Sequence, residues 1–448
     1  MTKRSTKIGM ISLGCPKNQV DAEQILGVLA GQGFEITPEQ ADADVIVVNT
    51  CGFIESAKDE SIEAILDAAA MKKRGKCRAL IVAGCLAQRY KDELSKELPE
   101  ADAIIGTAEI PRVAEIANRV LGRHEQVVTV SAPSLVFGLP RVSTTPRHYR
   151  YLKIAEGCSN RCSYCAIPLI RGNFASRPAE SILDEAKRLA DEGTKELVLL
   201  AQDSTQYRHA TIDLPKLLRK LTKVRGLAWI RLMYVYPGKV TDELMHVLAE
   251  EEKLCRYLDI PVQHIDDRIL AAMNRRGTSD DIKRTIDRLR KKVPGISLRT
   301  SLITGFPGET EAAFRRLLAF VKEYEFDHLG VFTYSPEEGT TAVDLPGRVP
   351  EETAEDRRGR IMRAQAAISK KKNRALIGSR RQVLVDGMED MAIIGRMETQ
   401  APEIDGVVYL SELEALPGEL VEAVITDASE YDLVGKGIDV ISGTRRRR

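Results

Sequence analysis

The chain reads as an α/β protein in three parts: an N-terminal parallel-sheet α/β domain, a central incomplete (βα)6 barrel and a small C-terminal antiparallel β-barrel. Three observations carry this reading. Short apolar runs alternate with helix-like polar–apolar stretches up to residue 125. Strand-like and helix-like runs alternate again, six times, between residues 150 and 345. From Arg380 onward the pattern changes to short strands parted by turns. The expected boundaries are 5–125, a linker at 126–149, 150–377 and 378–444.

Length and composition set the frame. A chain of 448 residues exceeds one ordinary core, so several domains are expected. Its 66 Lys and Arg against 65 Asp and Glu create no global field toward nucleic acid or membrane. Any polyanion binding must come from local patches. Eight cysteines are too sparse for a disulfide scaffold. The segment from Met1 to Lys7 leads into a strand without a signal-peptide region. No apolar run approaches the ~18–20 residues needed to span a bilayer. A soluble, cytoplasmic protein with no membrane partner is expected, and clustered thiols there mean metal or catalysis.

In the first part, the runs Lys7–Leu13, Asp44–Val48 and Arg78–Ala83 read as buried parallel strands with crossover helices. They end at Gly14-Cys15, Asn49-Thr50-Cys51 and Gly84-Cys85. All three cysteines therefore fall at carboxyl strand ends, where open sheets form binding crevices. A buried cysteine is often a small apolar filler; three in succession at strand ends suggest a shared site. Cys77 and Cys255 have no such company and are expected to be structural.

Residues up to Tyr149 look like a connector, with turn chemistry at Ser131–Ser134 and Ser143–Arg147. A strand at Tyr151–Ala155 then feeds the segment Gly157-Cys158-Ser159-Asn160-Arg161-Cys162-Ser163-Tyr164-Cys165. Thiolates at C-x3-C-x2-C spacing converge on one soft-metal centre. Structural zinc closes with four ligands and cubane clusters usually take four thiolates. Three leave one iron of a cluster open, or one position of a partial zinc site.

The later strands of the central part are Glu196–Ala201, Ala228–Tyr234, Tyr257–Ile260, Ser297–Ile303 and His328–Tyr334. Their carboxyl ends carry Gln202-Asp203, Gln263-His264 and the glycine-containing turn with Gly305 and Gly308. Glycines let backbone approach a ligand; ordinary turn composition is the alternative. Arg231 and Arg299 are inward candidates that either meet a ligand carboxylate or close an ion pair. Pro350–Arg374 reads as one long charged helix whose basic face includes Lys370, Lys371, Lys372 and Arg374. That face is either solvated or set against an acidic surface or a nucleic acid.

The last part shows five strands: Gln382–Asp386, Ala392–Arg396, Val407–Leu410, Leu420–Ile425 and Tyr431–Gly435. Between Arg380 and Val440 four basic residues face fourteen acidic ones, a net of −10. Such a module repels phosphate backbones and attracts basic partners. The terminal Arg445–Arg448 run is expected to be a tail.

Leu13-Gly14-Cys15-Pro16-Lys17-Asn18-Gln19-Val20-Asp21, Asn49-Thr50-Cys51 and Ala83-Gly84-Cys85-Leu86-Ala87-Gln88-Arg89 together resemble the methylthiotransferases. These are radical S-adenosylmethionine enzymes, and the resemblance runs from about Lys7 to the C-terminus. It implies a 4Fe-4S cluster on Cys158, Cys162 and Cys165 and a second on Cys15, Cys51 and Cys85. It implies S-adenosyl-L-methionine bound by the strand-end loops with Gln202, Asp203, Arg231, Gln263, His264, Arg299, Gly305 and Gly308. No catalytic residue beyond the cluster ligands is implied, and the closing barrel resembles a TRAM domain. One family branch methylthiolates an aspartate β-carbon in a basic small-subunit ribosomal protein; the other modifies an adenosine of transfer RNA. The acidic barrel and Cys51-Gly52-Phe53-Ile54 resemble the protein-modifying branch. The expected partners are that ribosomal protein and an electron donor, with transfer RNA disfavoured.

Overall fold

Continuous apolar segments become strands buried on both faces, and the parallel sheets follow from that. The computed structural model describes residues 5–122, 125–389 and 392–442. Asp390, Arg445–Arg448 and the last residues of the expected C-terminal domain lie outside the described residues. The N-terminal sheet has six strands: β1 (Lys7–Ser12), β2 (Glu35–Ile36), β3 (Val45–Thr50), β4 (Ala79–Gly84), β5 (Ala103–Ile105) and β6 (Val127–Thr129). Their spatial order is β2-β1-β3-β4-β5-β6, and all pairs are parallel. Every residue of β3 and β4 is buried. The order reverses between β1 and β3, so the crevice of this sheet opens there. β6 lies inside the stretch read as connector, a correction; three residues are too few to show a periodicity.

The central sheet is β7 (Tyr149–Lys153), β8 (Glu196–Leu200), β9 (Trp229–Leu232), β10 (Leu254–Asp259), β11 (Ser297–Thr304) and β12 (His328–Thr333). These strands are parallel and stand in sequence order. Right-handed crossovers between successive neighbours place the longer crossover helices on one face. The other face curves inward, and six strands do not close the ring. The helix Glu351–Arg374 runs along the β12 side, where Gln365 Nε2 donates to Phe326 O at 2.8 Å. Three of the four basic residues of its last turns face the protein itself: Lys370 pairs with Glu430, Lys371 with Glu325 and Lys372 with Asp327, while Arg374 is exposed.

The third unit is a closed barrel of β13 (Arg380–Glu389), β14 (Ala392–Arg396), β15 (Val408–Ser411), β16 (Leu420–Ala428) and β17 (Leu433–Ser442). Four neighbouring pairs are antiparallel, whereas β15 and β17 are parallel. An odd number of strands cannot alternate all the way round a ring, so one parallel pair is unavoidable. The β14–β15 loop plugs the concave face of the central sheet. Its Glu403 accepts from the Tyr149 and Tyr151 hydroxyls, and its Asp405 accepts from Tyr257 and faces Arg299 and His328.

The connector is stitched down on both sides. Arg141 bridges Glu23 on the Pro16–Gly31 helix and Glu185 of the central part, and Val142 N–H donates to Glu23 O. A Cβ on Gly27 of that helix would stand 2.2 Å from Pro140 O. A second bridge is buried between the two sheets. Lys153 contacts Asp21 at 2.7 Å and Glu156 at 2.5 Å, and Arg171 contacts the same pair at 2.5 and 3.4 Å. Burial alone would raise the Glu156 carboxyl, but Lys153 and Arg171 hold it down to about 2.

Two outcomes test this interface. Gly27→Ala, which improves helix propensity, should instead lower stability by about 1–3 kcal/mol through overpacking, read from the urea midpoint. A midpoint at or above wild type would refute the close approach. Glu156→Gln should cost about 3–5 kcal/mol at neutral pH by leaving the cations underpaired. The Glu156 contribution is present above the ordinary carboxylate range of about 4.3 and is lost as pH falls toward 2. The gap between variant and wild type should therefore narrow at pH 3; an unchanged gap would exclude the ionised carboxylate as its source.

Candidate functional site

Each cysteine of the first trio sits at a strand end because its strand stops there. Cys15 caps the helix Pro16–Gly31 just past β1, Cys51 follows β3 and Cys85 opens the helix Cys85–Arg89 after β4. Asn18 Nδ2 donates to Leu13 O at 2.6 Å and Thr50 O at 3.2 Å, tying the β1 and β3 exits together. Ser61 Oγ accepts the Cys51 N–H at 3.0 Å. Close approach depends on glycine at two points. A Cβ at Gly14 would stand 3.0 Å from Cys51 Sγ, and one at Gly52 would meet the Leu86 backbone at 2.8 Å.

The second trio lies on the loop that follows the short strand Ala155–Glu156. Cys158 N–H donates to Gly172 O, and Ser163 reaches Met273 O and Ala272 O with its N–H and hydroxyl. Arg275 donates to Pro261 O at 2.6 Å and to the Tyr164 hydroxyl at 3.3 Å, with Cys162 Sγ at 4.0 Å. Tyr164, the aromatic before the last cysteine, packs edge-on against Phe306.

All six thiols line a single cavity of about 1240 Å³ between the two sheets. Arg171 links them to the buried bridge: its Nη2 donates to Cys85 Sγ at 3.1 Å and to Asn18 Oδ1 at 3.1 Å. Burial pushes the Cys85 and Cys165 thiols up to about 12, and raises Cys51 and Cys158 as well. Buried thiols of this kind ionise when a metal takes the place of the proton. Among the described residues no three Cys, His, Asp or Glu side chains converge on a point that suits a single metal ion. Cys77 and Cys255 are buried away from this cavity, as expected.

The other expected ligand residues divide. Gln202, Asp203, Gln263, Arg299 and Gly305 line the cavity. Gln202 Nε2 donates to Glu156 at 2.5 Å, and Asp203 accepts from Asn160 and Lys239. Arg299 stands between Asp259 at 3.5 Å and Asp405 at 3.4 Å. Arg231, His264 and Gly308 are not among the residues that line it. Arg231 is 0% exposed, paired with Glu196 at 2.7 Å and donating to Glu398 O of the plugging loop. His264 is buried, its Nδ1 accepting the Asp266 N–H and its Nε2 facing Glu309. Gly308 turns its N–H to Gly347 O. Residues not singled out from the sequence also line the cavity, among them Lys17, Asn18, Arg171, Tyr234, Asp259 and Arg275. Lys17 and Asn18 lay within a motif already recognised; Arg171 had no sequence signal.

A second cleft of about 1330 Å³, between barrel and central sheet, holds no cysteine. No helix among the described residues is long and apolar enough to cross a membrane.

Comparison with known proteins fits this geometry. Residues 152–321 match the Radical SAM superfamily, 7–106 the uncharacterized protein family UPF0004 and 377–438 the TRAM domain. The first of these implies one 4Fe-4S cluster and S-adenosylmethionine. The fold is similar to that of the radical S-adenosylmethionine methyltransferase TsrM from Kitasatospora setae. That likeness has a TM-score of 0.55 at 15% identity and covers 73% of each chain, so it speaks to fold alone. The chain is 50% identical to the ribosomal protein uS12 methylthiotransferase RimO of Geobacter sulfurreducens, over 97% of this chain and 99% of that one. It is 48% identical to the protein of the same name from Pelotomaculum thermopropionicum, over 96% and 99%. Agreement at half of all positions across both full lengths places the chain in the RimO family of radical S-adenosylmethionine methylthiotransferases.

Proposed function

We propose that the protein methylthiolates an aspartate β-carbon of ribosomal protein uS12, with S-adenosylmethionine as radical source and methyl donor. The observation that carries this reading is that both cysteine trios line one cavity. An unactivated C–H bond lies beyond acid–base chemistry at neutral pH, and sulfur insertion needs a donor at the same place. Cys158, Cys162 and Cys165 would hold the cluster that binds S-adenosylmethionine; Cys15, Cys51 and Cys85 would hold a second one. Bound there, the two clusters and S-adenosylmethionine supply one-electron cleavage, hydrogen abstraction and delivery of a methylthio group.

The chain's own contribution is placement and charge. Arg171 donates to Cys85 Sγ, and Arg275 stands 4.0 Å from Cys162 Sγ, so each trio has a guanidinium beside a sulfur. Such donors favour the ionised, metal-bound state of a thiol. Gln202, Asp203, Gln263, Arg299 and Gly305 line the cavity and are the candidates for the S-adenosylmethionine pocket. An external electron donor is required by the chemistry.

The substrate assignment rests on the relatives, which are named for ribosomal protein uS12, more than on barrel charge. Asp386, Glu403 and Asp405 are committed to contacts with the central unit or within the barrel. Among the described residues the exposed acids are Glu389, Glu403, Glu412, Glu414, Asp427 and Asp439, against exposed Arg380, Arg381 and Lys436. The outward field is thus weaker than the count of −10 implied.

Anaerobically reconstituted enzyme with S-adenosylmethionine, dithionite and sulfide should add a methylthio group to an aspartate of uS12 and leave bulk transfer RNA unmodified, as read by mass spectrometry. Modified adenosine would mean the other branch of chemistry. Replacing Cys15, Cys51 and Cys85 by Ala should leave about half of the iron and acid-labile sulfide; full retention would rule out a second cluster there.

A further inference from the structure

We infer that Lys17 binds the side-chain carboxylate of the substrate aspartate, a step that rests on the function proposed above. Lys17 lies two residues after Cys15, in the first turn of the helix Pro16–Gly31, and lines the cavity. It is 8% exposed. Its Nζ stands 3.5 Å from the centroid of the Tyr234 ring. Among the described residues no carboxylate comes within ion-pair distance of it.

The other cations of the cavity differ. Arg171 faces Asp21 and Glu156, Arg299 faces Asp259 and Asp405, and Arg358 faces Glu355. Arg275 likewise meets no carboxylate, but its guanidinium is held by Pro261 O and the Tyr164 hydroxyl, and Arg348 is exposed. Two carboxylates that feel the Lys17 charge have other partners, although Asp259 Oδ1 accepts no hydrogen bond among the described residues. Glu156 is held by Lys153, Arg171 and Gln202; Asp259 faces Arg299 and accepts the Tyr234 N–H. A buried ammonium without a carboxylate partner is unfavourable, and the Tyr234 side chain and the thiolate that Cys15 would become on metal binding offset only part of that. An incoming anion completes the site.

The reaction itself brings such an anion. The β-carbon of aspartate is bonded directly to the carboxylate carbon, so wherever that carbon reacts, its carboxylate lies one bond away. Under the function proposed above, reaction occurs in the cavity that both trios line, and Lys17 lines it too. Asparagine has the same shape but would leave the ammonium unpaired, so Lys17 discriminates between the two by charge.

The test compares uS12 with a uS12 variant carrying asparagine at the modified position. Equilibrium binding to reconstituted enzyme without reductant and steady-state kinetics are both read. Wild type should prefer the aspartate substrate by about 100-fold. Lys17→Gln should raise KM for it by a similar factor and collapse the preference, while Lys17→Arg should keep most of it. Iron and sulfide at wild-type levels verify that each variant is assembled. Equal binding of both substrates by wild type overturns the inference without recourse to any variant. So does a Lys17→Gln protein that keeps the preference, or one that loses affinity for S-adenosylmethionine in place of uS12. If wild type modifies no aspartate at all, the proposed function fails, and the inference with it.

Discussion

The guanidinium of Arg171 is the point on which the two halves of the site depend. One nitrogen reaches Asp21 and Glu156, the other Asn18 and the Cys85 sulfur. A planar fork with fixed donor directions can meet four partners at once, as a lysine ammonium on a flexible stem cannot. With Lys153 it forms a neutral set of two cations and two carboxylates, buried where the N-terminal and central sheets meet. Buried ion pairs of this kind contribute little net stability against an apolar core, because desolvation offsets attraction. Their directionality matters more here: the bridge fixes the register of one domain on the other, and with it the separation of the two thiol trios.

Two topologies are then brought carboxyl edge to carboxyl edge. In the N-terminal sheet the reversal of order between β1 and β3 opens a crevice, with Cys15 on one side and Cys51 on the other. In the central sheet the sequential order β7 to β12 keeps all crossovers on the outer face and leaves the inner face free. The same curvature leaves a hollow below the active cavity. The β14–β15 loop of the small barrel fills it with Glu403 and Asp405, which answer the tyrosines, Arg299 and His328 lining it. Arg231 takes part in that packing, paired with Glu196 and donating to Glu398 O of the loop.

Much of this was legible in the chain. β3 and β4 are buried on both faces and read as apolar runs, and the six central strands stand out by their regular alternation with helix-like stretches. The short strands β2, β5 and β6 did not, because two or three residues show no period. The six cysteines were legible from local spacing in one trio and from strand ends in the other. His264 and Gly308 looked like Gln263 and Gly305 in sequence, yet only the second pair lines the cavity. Which way a loop residue points depends on what packs behind it. For His264 that is Asp266 and Glu309, and for Gly308 it is Gly347.

Sequence alone determined the three-part architecture and the strand-end and loop positions of the six cysteines, since each is a local property of residue type and spacing. Tertiary structure alone decided that both trios line one cavity, that Arg171 and Lys153 pin the domains and that Lys17 is left without a carboxylate. It also decided that a good share of the barrel's acid is spent inward. These are facts of long-range pairing. A charge becomes a bridge, a plug or an open binding group according to which partners the packed domains bring to it, and no local pattern records that.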